Sequence, residues 1–418
     1  MIIVNLALQS LRNRWITALL TILAISLSVM LLLGVEKIRS GARASFANTI
    51  SGTDLIVGAR SGSMQLLLYS VFRIGNATNN LSWRSYKHIA SRPEVKWIVP
   101  LSLGDSHRGF RVMGTTKAYF EHYRYRDKQL LAFDKGAAFD DLFEVVIGSD
   151  VASKLGYRRG DNIVIAHGIG AIGAKHDDMP FRISGILRKT GTPVDKTLHV
   201  SLRAIEAVHV DWQAGDKVPG QATPAARLRQ MKLRPKSVTA ALIGLKSRFQ
   251  IFGFQRHVND YRREPLSAVM PGLALHEMWA LVGIAEKALM AVSAMVVVTA
   301  ILGLMTMIFS TLNERRREIA ILRSVGAGPR TVIGLLVSEA GILTAIGVAL
   351  GTAGLYIGLF VLRPVIDRSY GIHLEMSAPS TTELLALGAI LLGGLLVGLL
   401  PAWRAYRHSL ADGMIVRS

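Results

Sequence analysis

The sequence predicts an α+β membrane protein, in which four transmembrane helices carry one large two-lobed α/β domain between the first and second helix. Three observations predict this fold class. Half of the 418 residues are hydrophobic, and the mean hydropathy is +0.34. Charged residues make up only 19% of the chain and are absent from four long apolar runs. Between the first two runs, the pattern changes to short alternating strands and amphipathic helices.

Each apolar run is long enough to cross a bilayer, since a hydrocarbon core of about 30 Å requires about 20 helical residues. The runs are Trp15–Val35, Ala288–Leu312, Ala340–Leu362 and Leu384–Leu400. The first run is interpreted as an uncleaved anchor rather than a signal peptide, because it is too long and no small-residue cleavage pattern follows it. The predicted segments are an amphipathic helix (1–14), the first span (15–35), the large domain with its stalks (36–280), the stalk end and second span (281–312), a cytoplasmic loop (313–330), the third span (331–362), a short outer loop (363–383), the fourth span (384–402) and a cytoplasmic tail (403–418).

Arginines flank the spans on one side. They lie before the first span, between the second and third, and after the fourth, at Arg12, Arg14, Arg315, Arg316, Arg317, Arg323, Arg330, Arg404, Arg407 and Arg417. The positive-inside rule then places both termini and the 313–330 loop in the cytoplasm and the large domain outside.

The outer segment begins with a β–α–β–β order, as in a small ferredoxin-like layer. Asp54–Ala59 is strand-like, and Leu81–Pro93 is a helix followed by two short strands. A second lobe is predicted over residues 117–236. Within it, Gln213–Pro235 reads as a long loop, and His276–Lys287 is expected to form a helical stalk continuous with the second span.

The outer segment is strongly basic. Residues 36–280 contain 36 Lys and Arg against 21 Asp and Glu, which gives +15 of the chain's +20. This charge fits either a solvated surface near anionic headgroups or a docking face for an acidic partner. A nucleic-acid role is not expected, because the basic domain lies outside the membrane. The lack of cysteine excludes disulfides, thiol catalysis and Cys-based zinc sites.

The predicted cytoplasmic loop carries a short amphipathic helix. Glu314 and Arg317 are spaced to pair, and Ile319, Leu322 and Val325 form one apolar stripe. Gly326 ends this helix, and Pro329 begins the next. The pattern fits a partner-binding surface and an ordinary positive-inside loop equally well.

Small residues recur in the last two spans at GxxxG spacing, which permits close helix approach. These are Gly347, Gly351, Gly354 and Gly358 in the third span and Gly394 and Gly398 in the fourth. Packing within one subunit is favoured over packing across a dimer. Glu339, at the membrane boundary, either reaches the interface or orients the loop through an arginine.

Histidine and one apolar run stand out in the outer domain. His167, His176, Asp177 and Asp178 are candidate metal ligands, although no three ligands have a diagnostic spacing and histidines that bind nothing are favoured. The run Met64–Phe72 is either a buried element, which is favoured, or an exposed patch for a lipidated cargo or partner protein.

Four segments carry a resemblance to a known family. NERRREIAILRSVGA, from Asn313, closely resembles the signature loop of the FtsX/MacB-type ABC transporter permeases. The opening LALQSLRNRWITALLTILAISLSV and the ending PAWRAYRHSLADGMIVRS are similar to the two ends of that family. GSDVASKLGYRRGDNIVI resembles the second lobe of a MacB-like periplasmic domain, which the family joins to a porter lobe.

The resemblance implies a permease in the bacterial inner membrane, with the large domain in the periplasm. It further implies a homodimer, or a dimer of similar subunits, that binds two ABC ATPase subunits. ATP-driven closure would then be transmitted to the periplasmic domain, a mechanism called mechanotransmission. The ATPase-coupling residues would be Glu314, Arg315, Arg316, Arg317, Glu318, Arg323 and Gly326.

The resemblance also bears on cofactors, partners and substrate. The chain has no GxxxxGK[ST] phosphate loop, so ATP and Mg²⁺ are expected on a separate ATPase, with no catalytic residue here. The substrate would be a lipoprotein, peptide or small molecule, and the further partners a periplasmic adaptor or substrate protein and membrane lipid. The alternatives are an FtsX-like regulator that does not transport, and the permease of a zinc-linked envelope system, which DLIVGARSGSMQLLLYSVFRIGNATNN resembles. A membrane-anchored enzyme has little support, since no Ser/His/Asp order or paired-acid motif stands out.

Overall fold

The computed structural model describes residues 2–47, 49–126, 128–168, 179–213, 216–218, 223–314, 321, 324–370 and 378–407. The chain divides into two compact units. The membrane unit comprises Met1–Gly41, Gly283–Val365 and Leu374–Ser418, and the domain unit comprises Ala42–Val282 and Ile366–His373.

The helices of the described residues are α1 Ile2–Asn13, α2 Trp15–Ala47, α3 Ser63–Leu67, α4 Trp83–Ala90, α5 Ala118–His122, α6 Ser149–Leu155, α7 Leu202–Val208, α8 Ala225–Gln230, α9 Ile251–Asn259, α10 Pro271–Glu314, α11 Pro329–Tyr370 and α12 Thr381–Arg407. A π-helical turn, Leu68–Phe72, follows α3, and two 3₁₀ turns are Pro193–Lys196 and Arg248–Gln250.

Four of these helices are long and apolar enough to cross a membrane. Their membrane-compatible parts are Trp15–Arg43, Pro271–Ser310, Arg330–Arg363 and Thr381–Leu400. The prediction of four spans is therefore confirmed in length and composition. The helices run beyond the apolar runs, because the residues that follow each run also favour helix. As a result, α11 continues to Tyr370, into the stretch 363–383 that was expected to be a loop.

Helix α10 is the longest helix in the described part of the chain. It begins with Pro271 at its first position, where the missing N–H is not needed, and continues to Glu314 over 44 residues. The predicted stalk His276–Lys287 lies within it, so stalk and second span form one helix.

The strands of the described residues are β1 Leu55–Ala59, β2 Leu81–Ser82, β3 Val95–His107, β4 Phe110–Thr115, β5 Arg124–Tyr125, β6 Gln129–Leu130, β7 Phe133–Gly136, β8 Glu144–Ile147, β9 Asn162–Ile163, β10 Ala166–His167, β11 Phe181–Leu187, β12 Thr197–Ser201, β13 Trp212–Gln213, β14 Asp216–Lys217, β15 Ser237–Val238, β16 Ala240–Leu245 and β17 Leu266–Val269.

One mixed sheet organises the domain unit. Its order is β17-β1-β16-β3-β4-β12-β8-β11-β7, with β10 paired to β3 and β9 paired to β11. The β12–β4 and β8–β11 pairs are parallel, and the other pairs of this sheet are antiparallel. The two predicted lobes therefore share one continuous sheet. The reason is β3, the first of the two predicted short strands, which continues to His107 because β4 and β10 both pair with its second half.

Buried side chains cover both halves of this sheet. Leu101 and Met113 belong to one hydrophobic cluster, and Ile147 and Phe181 belong to another. The stretch Gln213–Pro235, expected to be a loop, contains part of the β13–β14 hairpin and α8, whose Leu228 is fully buried.

The apolar run Met64–Phe72 forms α3 and the π-helical turn after it. Leu66 and Leu67 are fully buried, and Tyr69, Val71 and Phe72 join the same core. The buried interpretation is therefore correct, and the exposed patch for a lipidated cargo is wrong. The large apolar side chains of this segment pack in the same hydrophobic cluster as Leu101 and Met113 of the sheet.

Candidate functional site

Glycines of α11 bring that helix into close contact with α2. A Cβ at Gly351 would lie 2.5 Å from the Ser26 carbonyl oxygen, and one at Gly347 would lie 2.7 Å from Ile25 Cγ2. The Ser26 hydroxyl donates a hydrogen bond of 3.0 Å to the Gly347 carbonyl oxygen. Such short approaches are what small residues permit between membrane helices.

The glycines of α12 make a second close contact, against α11. A Cβ at Gly394 would meet Thr344 Oγ1 at 2.2 Å, and one at Gly398 would meet Ala340 Cβ at 2.9 Å. Among the described residues, a Cβ at Gly354 or Gly358 would approach only Met30, with nearest atoms at 3.9 and 3.5 Å. The structure thus places four of the six predicted glycines in tight contacts inside one chain.

Gly351→Ala is expected to lower the free energy of unfolding of the membrane unit by about 1–3 kcal/mol, the usual range for overpacking a tight contact. Gly354→Ala is the matched control, because both substitutions gain the same helix propensity and Gly354 has room for a methyl group. The measurement is unfolding of the purified chain by dodecyl sulfate titration. Equal midpoints for the two variants would contradict the packing argument.

Charged side chains gather where α2, α10 and α12 come together within the membrane unit. We call Glu36, Lys37, Arg39, Glu286 and Glu383 the charged cluster. Lys37 Nζ lies 3.3 Å from Glu383 Oε2, and the two side chains are only 8% and 4% exposed. Arg39 donates to both carboxylate oxygens of Glu36, at 2.7 and 3.0 Å, and its Nη1 lies 3.9 Å from Glu286.

Glu383 has a second role at the start of α12. The Ser380 N–H donates to its carboxylate at 2.9 Å, and the Glu383 N–H donates to the Ser380 hydroxyl at 3.3 Å. This is a capping box, which satisfies two backbone donors at the helix start. No sequence pattern connects the members of the charged cluster, although the spacing Ser380-x-x-Glu383 ahead of an apolar run is a signal for the cap.

The predicted ATPase-coupling residues lie mostly outside the described residues, as Arg315, Arg316, Arg317, Glu318 and Arg323 do. Glu314 ends α10. Gly326 has φ +99°, a conformation that L side chains rarely adopt, and Pro329 begins α11 three residues later. Glu339 lies within α11 and is 5% exposed.

The domain unit brings His167 to two residues that the sequence did not connect with it. Asp105 lies opposite His167 in the β3–β10 pair, and His209 caps the C-terminus of α7. His167 Nδ1 lies 3.2 Å from Asp105 Oδ1 and 3.0 Å from His209 Nε2. We call these three residues the His–Asp cluster. The other predicted ligands, His176, Asp177 and Asp178, lie outside the described residues.

The pKa values of His209 and His199 shift in opposite directions, because the two histidines lie in different environments. Burial lowers the pKa of His209, but the hydrogen bond and charge of Asp105 outweigh burial, so this pKa lies above its ordinary value. Burial lowers the pKa of His199 to about 3. His199 is therefore a neutral core histidine, whereas His209 is held beside a buried carboxylate.

Two protein-family models match parts of this chain. The model of the MacB-like periplasmic core domain matches residues 18–238, which is more than half of the chain. The model of the FtsX-like permease C-terminal region matches residues 290–410.

Among curated proteins, the chain is similar to the macrolide export ATP-binding/permease protein MacB of Nitrobacter winogradskyi, with 24% identity over 410 residues. The match covers 93% of this chain and 56% of that protein, so the chain spans about half of the length of this relative.

Two solved structures show weaker likeness. The periplasmic region of MacB from Actinobacillus actinomycetemcomitans is 9% identical, with 55% of this chain and 94% of that structure covered and a TM-score of 0.33. The extracellular domain of the noncanonic ABC-type transporter YknZ from Gram-positive bacteria is 13% identical, with coverage of 52% and 99% and a TM-score of 0.30.

Proposed function

Because the chain belongs to the family of FtsX-like permeases with a MacB-like periplasmic core domain, we propose that it is the membrane subunit of an ABC-type machine whose ATPase is a separate polypeptide. Two permease copies and two ATPase subunits form the machine. It resides in the bacterial inner membrane, with the domain unit in the periplasm. The four apolar helices and the periplasmic-type domain fit an inner-membrane protein.

The observation that carries this proposal is the continuity of α10. This helix starts two residues after the end of β17 and continues without a break for 44 residues to Glu314, where the predicted coupling loop begins. At a rise of about 1.5 Å per residue, it is about 66 Å long. A continuous helix of this length can carry a displacement from a cytoplasmic ATPase to the domain.

The proposed mechanism is mechanotransmission, in which a conformational change of the ATPase is passed through the membrane helices to the domain unit. ATP-driven closure of the ATPase subunits moves α10 and α2, and the domain then moves or releases an envelope substrate such as a lipoprotein, peptide or small molecule. The tight glycine contacts of α11 with α2 and α12 support this proposal, since closely packed helices move together.

The test is purification of the full chain from its native membrane in mild detergent, with identification of the proteins that co-elute. We expect an ABC ATPase subunit, whose recovery falls at least about tenfold in the triple variant Arg316→Ala, Arg317→Ala and Glu318→Ala, because charged hydrogen-bonded contacts contribute about 1.5–3 kcal/mol each.

The control is the triple variant Lys232→Ala, Arg234→Ala and Lys236→Ala, which removes three exposed basic residues of the domain unit. This control should retain the ATPase. A fully coupled ATPase on the loop variant would refute the assigned role of the loop, and absence of any ATPase from the wild-type preparation would refute the proposed machine.

A further inference from the structure

The His–Asp cluster has the geometry of a cation site. Its three donor atoms are Asp105 Oδ1, His167 Nδ1 and His209 Nε2, and their mutual distances are 3.2, 3.0 and 3.6 Å. Tetrahedral coordination with metal–ligand bonds of about 2.0–2.1 Å places neighbouring ligand atoms about 3.3 Å apart. The donors are thus already spaced as one face of a tetrahedron.

The tautomer of His209 fits this geometry. Its Nδ1 lies 2.7 Å from the Ile205 carbonyl oxygen, which can only accept, so Nδ1 carries the proton. The lone pair of Nε2 then points at the other two donors. Most metal-binding histidines donate their other ring N–H to such an oxygen, which orients the ring and fixes its tautomer.

The surroundings of the cluster also fit a metal ion. Asp105 is 2% exposed, so a cation held by its carboxylate would be shielded from bulk water on that side. The ring of Trp212 lies against both imidazoles, with centroids 5.8 and 6.1 Å away. A cavity of about 340 Å³, lined by His167, Asn76 and Asn80 among others, lies beside the cluster.

We propose that Asp105, His167 and His209 bind one divalent transition-metal ion of the Zn²⁺ type, with a solvent-derived ligand in the fourth position. Two imidazoles and one carboxylate are a donor set that suits zinc and its neighbours and discriminates against Mg²⁺ and Ca²⁺, which take oxygen ligands. This inference does not depend on the ATPase partner.

A hydrogen-bonded network without metal is the rival explanation, since His167 Nδ1–H could be shared between Asp105 and His209. The hydrogen-bonded network and the metal site make different predictions for Zn²⁺ binding. A network needs only a proton, whereas the metal site binds one equivalent of Zn²⁺ and gains stability from it, because a ligand that binds only the folded state stabilises it.

The experiment uses the full chain in detergent after treatment with a chelator, titrated with Zn²⁺ alone by calorimetry. We expect one Zn²⁺ per chain and a raised melting temperature on binding. The affinity for Zn²⁺ should be at least about 100-fold lower in His167→Ala, since losing even a residue that only hydrogen-bonds to a ligand costs about 10–100-fold. His167 is the variant of choice because its side chain is 42% exposed, so the substitution should not disturb the fold.

Two further variants keep the test falsifiable. His276→Ala removes an exposed histidine on α10 and should bind Zn²⁺ as the wild type does. Asp105→Asn should weaken Zn²⁺ binding. Its melting temperature without metal, compared with that of the metal-free wild type, shows whether the fold is intact. The proposal is overturned if the wild type binds no stoichiometric Zn²⁺, if Mg²⁺ competes equally, or if binding survives in His167→Ala and is lost instead on replacing His176, Asp177 and Asp178.

Discussion

Gly148→Ala is expected to destabilise the sheet of the domain unit by about 3 kcal/mol or more, at the upper end of the range for overpacking. A Cβ at Gly148 would lie 2.3 Å from the carbonyl oxygens of both Asp195 and Val194. Both atoms belong to the backbone, so no rotamer change can relieve the clash. Gly148 also donates its N–H to the Thr197 carbonyl oxygen at 3.0 Å, which fixes its position next to β12.

The matched control is Gly62→Ala. Gly62 and Gly148 both precede a short helix that begins with serine, and both have extended backbones, with φ −63° and −70°. In the part of the chain that the structure describes, no atom beyond its two chain neighbours lies within 4 Å of a Cβ at Gly62. The difference between the two variants therefore isolates the clash from the change in helix capping.

Hydrogen exchange of the full chain is the appropriate measurement, because a protein of two units does not unfold in one step. Amides of β8 and β12 should exchange on the order of 100-fold faster in Gly148→Ala, since about 1.4 kcal/mol corresponds to a factor of ten. Unchanged protection of these strands would contradict the prediction, because it would show that the 3₁₀ turn Pro193–Lys196 can move away at little cost.

Removing one charge of the Lys37–Glu383 pair should destabilise the membrane unit by about 3–5 kcal/mol, because the remaining charge stays buried. Glu383→Gln is the cleaner single variant. Glutamine at this position can still accept from the Ser380 N–H, so the capping box remains while the charge is lost.

The double variant Lys37→Met with Glu383→Gln completes the cycle. It removes both charges, keeps the shape of the Glu383 side chain and shortens that of Lys37 by one atom, so it should lie within about 1 kcal/mol of the wild type. Unfolding of the purified chain in dodecyl sulfate provides the four free energies. An additive cycle, in which the double variant loses the sum of the two single losses, would show that the pair does not interact.

Local patterns in the sequence predicted the parts of the fold that depend on local interactions. The four spans follow from uncharged runs of sufficient length, and the start of α11 follows from Pro329, which was predicted to begin a helix. The strand β3 was predicted too short, because Ser102–His107 is polar and Gly-containing. It forms strand only because β4 and β10 pair with it.

The candidate sites were harder to predict, because their residues come from distant parts of the chain. His167 is 62 residues from Asp105 and 42 from His209, and no spacing rule connects them. The sequence instead grouped His167 with His176, Asp177 and Asp178, which are near it along the chain. Likewise, the cap at Ser380 is a local motif, whereas the pairing of Glu383 with Lys37 requires the packed helices.

The shared strand β3 joins the two halves of the domain without an intervening loop. Its first part, Val95–Leu101, pairs with β16, and its second part, Ser102–His107, pairs with β4, so the two ladders meet end to end on one strand. Three successive ladders connect β17, the strand just before α10, to the strand that bears Asp105. A displacement of β17 would therefore reach Asp105 through main-chain hydrogen bonds and one continuous strand rather than through a flexible loop.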